Sequence, residues 1–238
     1  MKLLRALAIL VAVTAILLLV CAGPGTRMGL WHFRTGFTLL RWGAYLGIGG
    51  AILALIALVA TRPRGGALAA LLVALALASA AFVVPWRMAQ QARRVPPIHD
   101  ITTDTENPPE FVAVLPLRAD AANPATYGGD SVAALQRQGY PDIRPLQLDV
   151  PPADAFRRAR AAAQAMDWEI VSADTAARRL EATATTPWFG FKDDVVVRIR
   201  PDGTRSRVDV RSVSRVGRSD AGTNAKRIRE FLGRLAGR

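Results

Sequence analysis

The chain has 238 residues, 51% of them apolar, with a formal charge of +12, two His and one Cys. In bulk that charge suits a nucleic-acid binder, but its distribution excludes one: residues 1–95 hold 10 Lys+Arg and no acid, while residues 96–238 hold 21 Lys+Arg against 19 acids. A lone Cys excludes an internal disulfide framework and a Cys-rich metal site, and His32 and His99 leave little for a His-based triad or an imidazole metal centre, so no cofactor is expected.

Three apolar stretches fill the first part: Leu3 to Ala22, broken only by Arg5 and Thr14, then Trp42 to Ala60, then Ala67 to Val84. At about 1.5 Å per residue each spans roughly 27–30 Å, the thickness of a hydrocarbon core. They predict a transmembrane region over residues 1–95, with helices at about 3–22, 42–60 and 67–84, so the lipid bilayer is the first partner. Trp42, Tyr45 and Trp86 stand where interfacial aromatics belong. Thr61-Arg62-Pro63-Arg64-Gly65-Gly66 is a tight basic turn that makes a hairpin of the second and third spans. The start Met1-Lys2-Leu3-Leu4-Arg5 resembles a signal peptide, and Cys21 stands where a lipidated cysteine would, although Val20 before it is not a small residue. An uncleaved first helix with a buried free Cys is the reading favoured. Trp31-His32-Phe33, among Arg27, Arg34 and Arg41, reads as an interfacial loop or a short amphipathic helix.

With the N-terminus in the cytoplasm, Lys2, Arg5, Arg62 and Arg64 lie inside, and Arg27, Arg34, Arg41, Arg87, Arg93 and Arg94 outside. That count opposes the positive-inside rule, while the signal-like start and the tight Arg-Pro-Arg turn favour it. The expectation is an integral membrane protein of the bacterial inner membrane, its C-terminal domain outside the cytoplasm.

Residues 96–144 are expected to be an extended surface segment. Val95-Pro96-Pro97 stops the third helix, and Ile98, Ile101 and Phe111 are spaced apolar anchors in a turn-rich polar text. Residues 131–138 form a short helix ending at Gly139. Residues 145–238 make the soluble domain. Leu146, Leu148 and Val150 alternate as a half-buried strand, and Pro151-Pro152 opens a helix with an inward stripe of Phe156, Ala159, Ala163 and Met166. Trp168–Ser172 is a second strand, Leu180, Ala182 and Ala184 mark a third, and Val195, Val197 and Ile199 a fourth. After the Asp202-Gly203 hairpin signal, the fifth strand puts Val208, Val210, Ser212 and Ser214 on one face and Arg207, Asp209, Arg211 and Arg215 on the other. Asp220, Thr223 and Asn224 cap a last helix whose apolar stripe is Ile228, Phe231, Leu232 and Leu235. The fold class is α+β: a three-helix transmembrane region followed by a largely antiparallel sheet with helices on one face.

Pro187-Trp188-Phe189-Gly190-Phe191-Lys192-Asp193-Asp194-Val195-Val196-Val197-Arg198, then Val208–Asp220, then Gly222-Thr223-Asn224-Ala225-Lys226-Arg227-Ile228, occur in order. Together with the upstream Ile98–Asp104, this text resembles domain of unknown function family 1499, a bacterial and plastid family, over residues 98–236. The resemblance implies a membrane-attached envelope protein and no particular activity. The cysteine-containing start of many members is missing here, so no Cys role carries over.

Asp193 and Asp194 are adjacent on a strand and so face opposite ways, one of them towards Arg198 or Arg211. Asp193, Asp194, Asp209, Arg211, Arg215 and Trp188 are the candidate ligand-binding residues, suited to an anionic headgroup; cross-strand ion pairing is their structural alternative. Ser212 and Ser214 have no His to activate them, which argues against a serine hydrolase. Trp188-Phe189-Gly190-Phe191 is expected at a turn or bulged strand end, packed for the most part under the helices of the soluble part. Two functions follow: a non-catalytic binding or scaffold domain for a lipid, an envelope polymer or a protein partner, or an enzyme at the membrane surface with an Asp/Arg centre. They differ in whether these side chains converge in an open cleft or pair off.

Overall fold

The computed structural model describes residues 1–237. It divides into two compact units, one comprising residues 1–91 with residues 187–190, the other residues 92–186 and 191–238.

The first unit contains α1 (Lys2–Arg27), α2 (Phe33–Thr61) and α3 (Gly66–Arg93), all long and apolar enough to cross a membrane. Small residues line their contacts: Ala8 and Ala12 of α1, Gly47 and Ala54 of α2, and Ala74 and Ala78 of α3 are buried. That composition suits helices whose backbones approach closely where no hydrophobic drive separates them from lipid. Arg5 closes one end by donating to the Thr61 hydroxyl at 2.7 Å and to its carbonyl at 3.0 Å, a cation at the C-terminus of α2. Trp31 and His32 lie in the connection between α1 and α2, and α2 starts at Phe33, earlier than expected, on a His32 cap whose Nδ1 accepts the Arg34 N–H. Cys21 is exposed on α1, not buried, because the buried stripe of that helix runs through Ala15, Leu19 and Ala22.

The second unit is an antiparallel sheet in the order β1-β6-β5-β4-β3, with β2 also on β6. Its strands are β1 (Asp100–Thr102), β2 (Leu146–Leu148), β3 (Glu169–Asp174), β4 (Arg179–Thr185), β5 (Lys192–Asp202) and β6 (Arg205–Ser214). The β5–β6 hairpin closes at Asp202↔Arg205, leaving Gly203-Thr204 as a two-residue turn, with Gly203 at φ +60° as such turns require. α5 (Pro152–Ala165) and α6 (Thr223–Leu235) pack on one face. There Val195, Val197, Ile199, Val208 and Val210 cluster with Phe156, Ile228 and Phe231, and Phe231 stacks on Trp168 at 5.0 Å.

Residues 96–144 are built into this unit. They supply β1, a 3₁₀ turn (Leu115–Arg118) and α4 (Gly129–Gly139), and the Gln136 amide brackets β1 by accepting from Thr102 N and donating to Thr102 O. Phe111 and Val114 cover Val196 and Val213 on the sheet face opposite α5 and α6. One face is therefore closed by helices and the other by a largely irregular segment.

Candidate functional site

Strand alternation decides which side chains the irregular segment covers. On β4, β5 and β6 the residues between the apolar positions include Glu181 and Thr183, Asp194 and Arg198, and Asp209 and Arg211, with Arg215 just past the end of β6. Most are fully buried, and a buried charge must be paired and hydrogen-bonded.

Asp194 accepts from Arg118 Nη1 at 2.6 Å, Arg215 Nε at 2.9 Å and Nη2 at 2.8 Å, and the Thr183 hydroxyl at 2.7 Å. Burial alone would raise its carboxyl; the bonds from Arg215, Thr183 and Arg118 overcome that and hold it below its ordinary value. Arg211 is forked onto Asp100, at 2.9 Å and 2.7 Å, and donates to the carbonyls of Pro109 and Ala125. Its guanidinium also lies over the rings of Phe111 and Tyr127, at 5.2 Å and 5.4 Å from their centroids. Burial and the nearby Asp100 push the Tyr127 phenol up to about 12. Glu181 accepts the backbone N–H groups of Val112 and Val114 and Arg179 Nε.

Asp209 is the hub of a second cluster. Its Oδ2 accepts from Arg198 at 3.1 Å and Arg200 at 2.8 Å, and its Oδ1 from Arg207 at 2.9 Å. Asp104 reaches the same three arginines, its Oδ2 accepting at 3.4, 3.2 and 2.8 Å, while its Oδ1 takes the N–H groups of Glu106 and Asn107.

Asp193 points the other way, as adjacent strand positions must. It accepts from Arg227 Nη2 at 2.6 Å, and Arg227 also donates to Asn224 and Ser212. Asn224 in turn bonds Ser214, so both strand serines end in one buried network beneath α6. Asp220 caps α6 from outside, taking the N–H groups of Gly222 and Asn224; burial pushes its carboxyl up despite them.

Trp188 belongs to the first unit, and so does its neighbour Phe189. A Cβ on Gly23 of α1 would lie 2.3 Å from Trp188 Cδ1, and one on Gly36 of α2 would lie 2.8 Å from Phe189 Cε1. The two rings thus occupy hollows that exist because these positions carry no side chain. Phe189 meets Phe37 at 5.1 Å, and Arg27 donates to the Pro187 carbonyl at 2.7 Å. Packing under the helices of the soluble part is corrected to packing against α1 and α2.

The six expected residues are therefore dispersed. Asp194 and Arg215 bond each other, Asp209 and Arg211 head separate sets on the same face, Asp193 lies on the other face, and Trp188 sits in the first unit. Asp193 is met by Arg227, and Asp194 by Arg118 and Arg215, not by Arg198 or Arg211. Arg118 and Asp104 left no sequence signal, since their stretch has no period. Arg227 did: it falls one turn from Phe231 on the inward side of α6, where an arginine calls for a buried acid. Among the described residues no group of three or more His, Cys, Asp and Glu is placed to hold a metal ion.

Residues 100–235 match the family described as Protein of unknown function (DUF1499). No curated protein matches the chain.

Proposed function

Since the chain belongs to the DUF1499 family, whose description assigns no activity, and carries three helices able to cross a membrane, we propose that it is an integral protein of the bacterial inner membrane. Its soluble domain works in the cell envelope, outside the cytoplasm, as a non-catalytic binding or scaffold module for a lipid, an envelope polymer or a protein partner. The observation that carries this reading is the pairing of the buried acids. Asp100, Asp193, Asp194 and Asp209 are each met by one to three guanidiniums. A carboxylate fixed in that way has its oxygens occupied by donors, and is poorly suited to passing a proton to a substrate.

The reading is tested by incubating the full chain, in an uncharged detergent, with a total membrane-lipid extract and with cell-wall fragments. Mass spectrometry then quantifies both what the protein retains and what it converts. Retention of an unaltered species near stoichiometry is expected; time-dependent conversion that Asp194→Asn abolishes would overturn the reading. The topology is tested with a C-terminal alkaline phosphatase fusion, expected to be active; an inactive phosphatase beside a bright C-terminal fluorescent fusion would place the domain on the other side.

A further inference from the structure

The Arg198, Arg200 and Arg207 cluster combines two features. First, three guanidiniums share two directly bonded carboxylates, Asp104 and Asp209, with Asp202 a further negative charge acting on Arg207. Second, the acids are buried while the arginines are not. Asp209 is fully buried and the Asp104 side chain 9% exposed, whereas the side chains of Arg200 and Arg207 are 36% and 34% exposed. The carboxylates therefore hold the guanidiniums while part of the Arg200 and Arg207 side chains stays open to solvent.

Register sharpens the point. Arg200 on β5 lies directly opposite Arg207 on β6, and Arg207 lies directly opposite the exposed Gln147 on β2. Like charges placed opposite one another on neighbouring strands repel, at Cβ separations of about 4.5–5.5 Å. Arg198, directly opposite Asp209, already reaches it, so Arg200 and Arg207 keep donors beyond the pairs they make with Asp104 and Asp209. Among the described residues, Arg200 uses only Nη2 in hydrogen bonds, leaving Nε and Nη1 free, and Arg207 leaves Nη1 free. The Gln147 amide adds a neutral donor in the same row.

From this we infer an oxyanion site of the phosphate class, with Arg200 and Arg207 as its two charged walls, Gln147 at its edge, and Asp104, Asp209 and Arg198 as the residues that position them. Guanidinium forks preset by buried carboxylates lose little freedom on taking a second anion, and their planar donors match phosphate oxygens. The ligand is either a free phosphate or phosphate monoester or the phosphate of a lipid headgroup; both present the same oxygens. This site gives the binding-module reading a ligand class and rests on it. Loss of the site would leave that reading standing, since its own test is retention of any envelope species.

The experiment uses the full chain in an uncharged detergent. Inorganic phosphate is titrated first, then dihexanoyl-phosphatidylglycerol below its micellar concentration, with heat and thermal shift as readouts at two salt concentrations. Saturable binding is expected, weakening with salt and about tenfold weaker in both Arg200→Gln and Arg207→Gln. Binding of the short-chain lipid in competition with phosphate assigns a headgroup; binding of phosphate alone assigns a soluble ligand. Where a Gln variant fails to fold, Arg200→Lys carries the test, because it keeps the charge that Asp104 and Asp209 require and loses the fork; it should weaken phosphate binding about threefold or more. Absence of saturable binding to both probes, or affinities unchanged in the folded variants, would overturn the proposal.

Discussion

On the sheet face under α5 and α6, Val195, Val197, Ile199 and Val208 need only apolar neighbours of suitable volume, whereas on the opposite face Asp194, Asp209 and Arg211 each need a partner of fixed charge and direction. The difference follows from what covers each face. A helix arrives with its backbone hydrogen bonds already made inside it, so a smooth apolar surface is enough to receive it. An irregular segment arrives with free N–H and C=O groups, and those must be met. Glu181 takes the N–H groups of Val112 and Val114, Arg211 donates to the carbonyls of Pro109 and Ala125, and Arg118 donates to the carbonyl of Asn123. A charged sheet face and an aperiodic cover are thus two halves of one solution, with ion pairs left over to neutralise the charges that do the bonding.

Near-isosteric substitutions break this contrast most directly. On the polar face, Asp194→Asn keeps the volume and removes the charge that two arginines share, which is expected to cost about 3–5 kcal/mol, as uncompensated buried charges do; thermal unfolding of the full chain in uncharged detergent reads it. The pH dependence has a definite sign. Asp194 is held below its ordinary value of 3.8, so its contribution is present above that pH and is lost as the pH falls through the lower folded value. Wild type should therefore lose stability below about pH 4, and Asp194→Asn should lose less over the same window. On the apolar face, Ile199→Val, also a small change in volume, should cost only about 1 kcal/mol. If the two substitutions proved equally costly, the distinction between the faces would fail.

The smallest effect concerns the phenols. Tyr127 and Tyr140 both have hydroxyls that are buried without a hydrogen-bond partner, and burial pushes both up to about 12. Replacing either by Phe should change stability by less than about 1 kcal/mol. Phenolate absorbance at pH 11 should also be unchanged in the folded protein and reduced only after denaturation. A drop in the folded state would show a phenol already ionised.

The helix-covered face was legible in the sequence because both of its partners are periodic. The alternation of Val195, Val197 and Ile199 and the spacing of Ile228 and Phe231 each point inward independently. The polar face was half legible: parity put Asp209, Arg211 and Arg215 on one side, but Asp104, which shares the arginines of Asp209, Asp100, which pairs with Arg211, and Arg118, which shares Asp194 with Arg215, come from a stretch where period cannot reveal which side chain turns in. β1 has three residues, too few to show alternation, and is fixed by pairing with β6 from more than a hundred positions away. The Trp188 and Phe189 rings were misplaced for a different reason: their hollows are defined by side chains that Gly23 and Gly36 do not have, and a missing atom leaves no mark in a hydrophobic pattern.

Those two hollows also carry a consequence for biosynthesis. Arg27 and Pro187, which hydrogen-bond beside the seated rings, are 160 residues apart in the chain. At a ribosomal rate of about 5–20 residues per second, α1 and α2 are complete roughly 6–25 s before Trp188 and Phe189 exist. For that time the hollows over Gly23 and Gly36 stand vacant in a nascent chain, open to acyl tails, to an insertase or to a neighbouring copy. Whatever occupies them first has to leave before the rings can enter, which makes seating of this turn a late event in maturation.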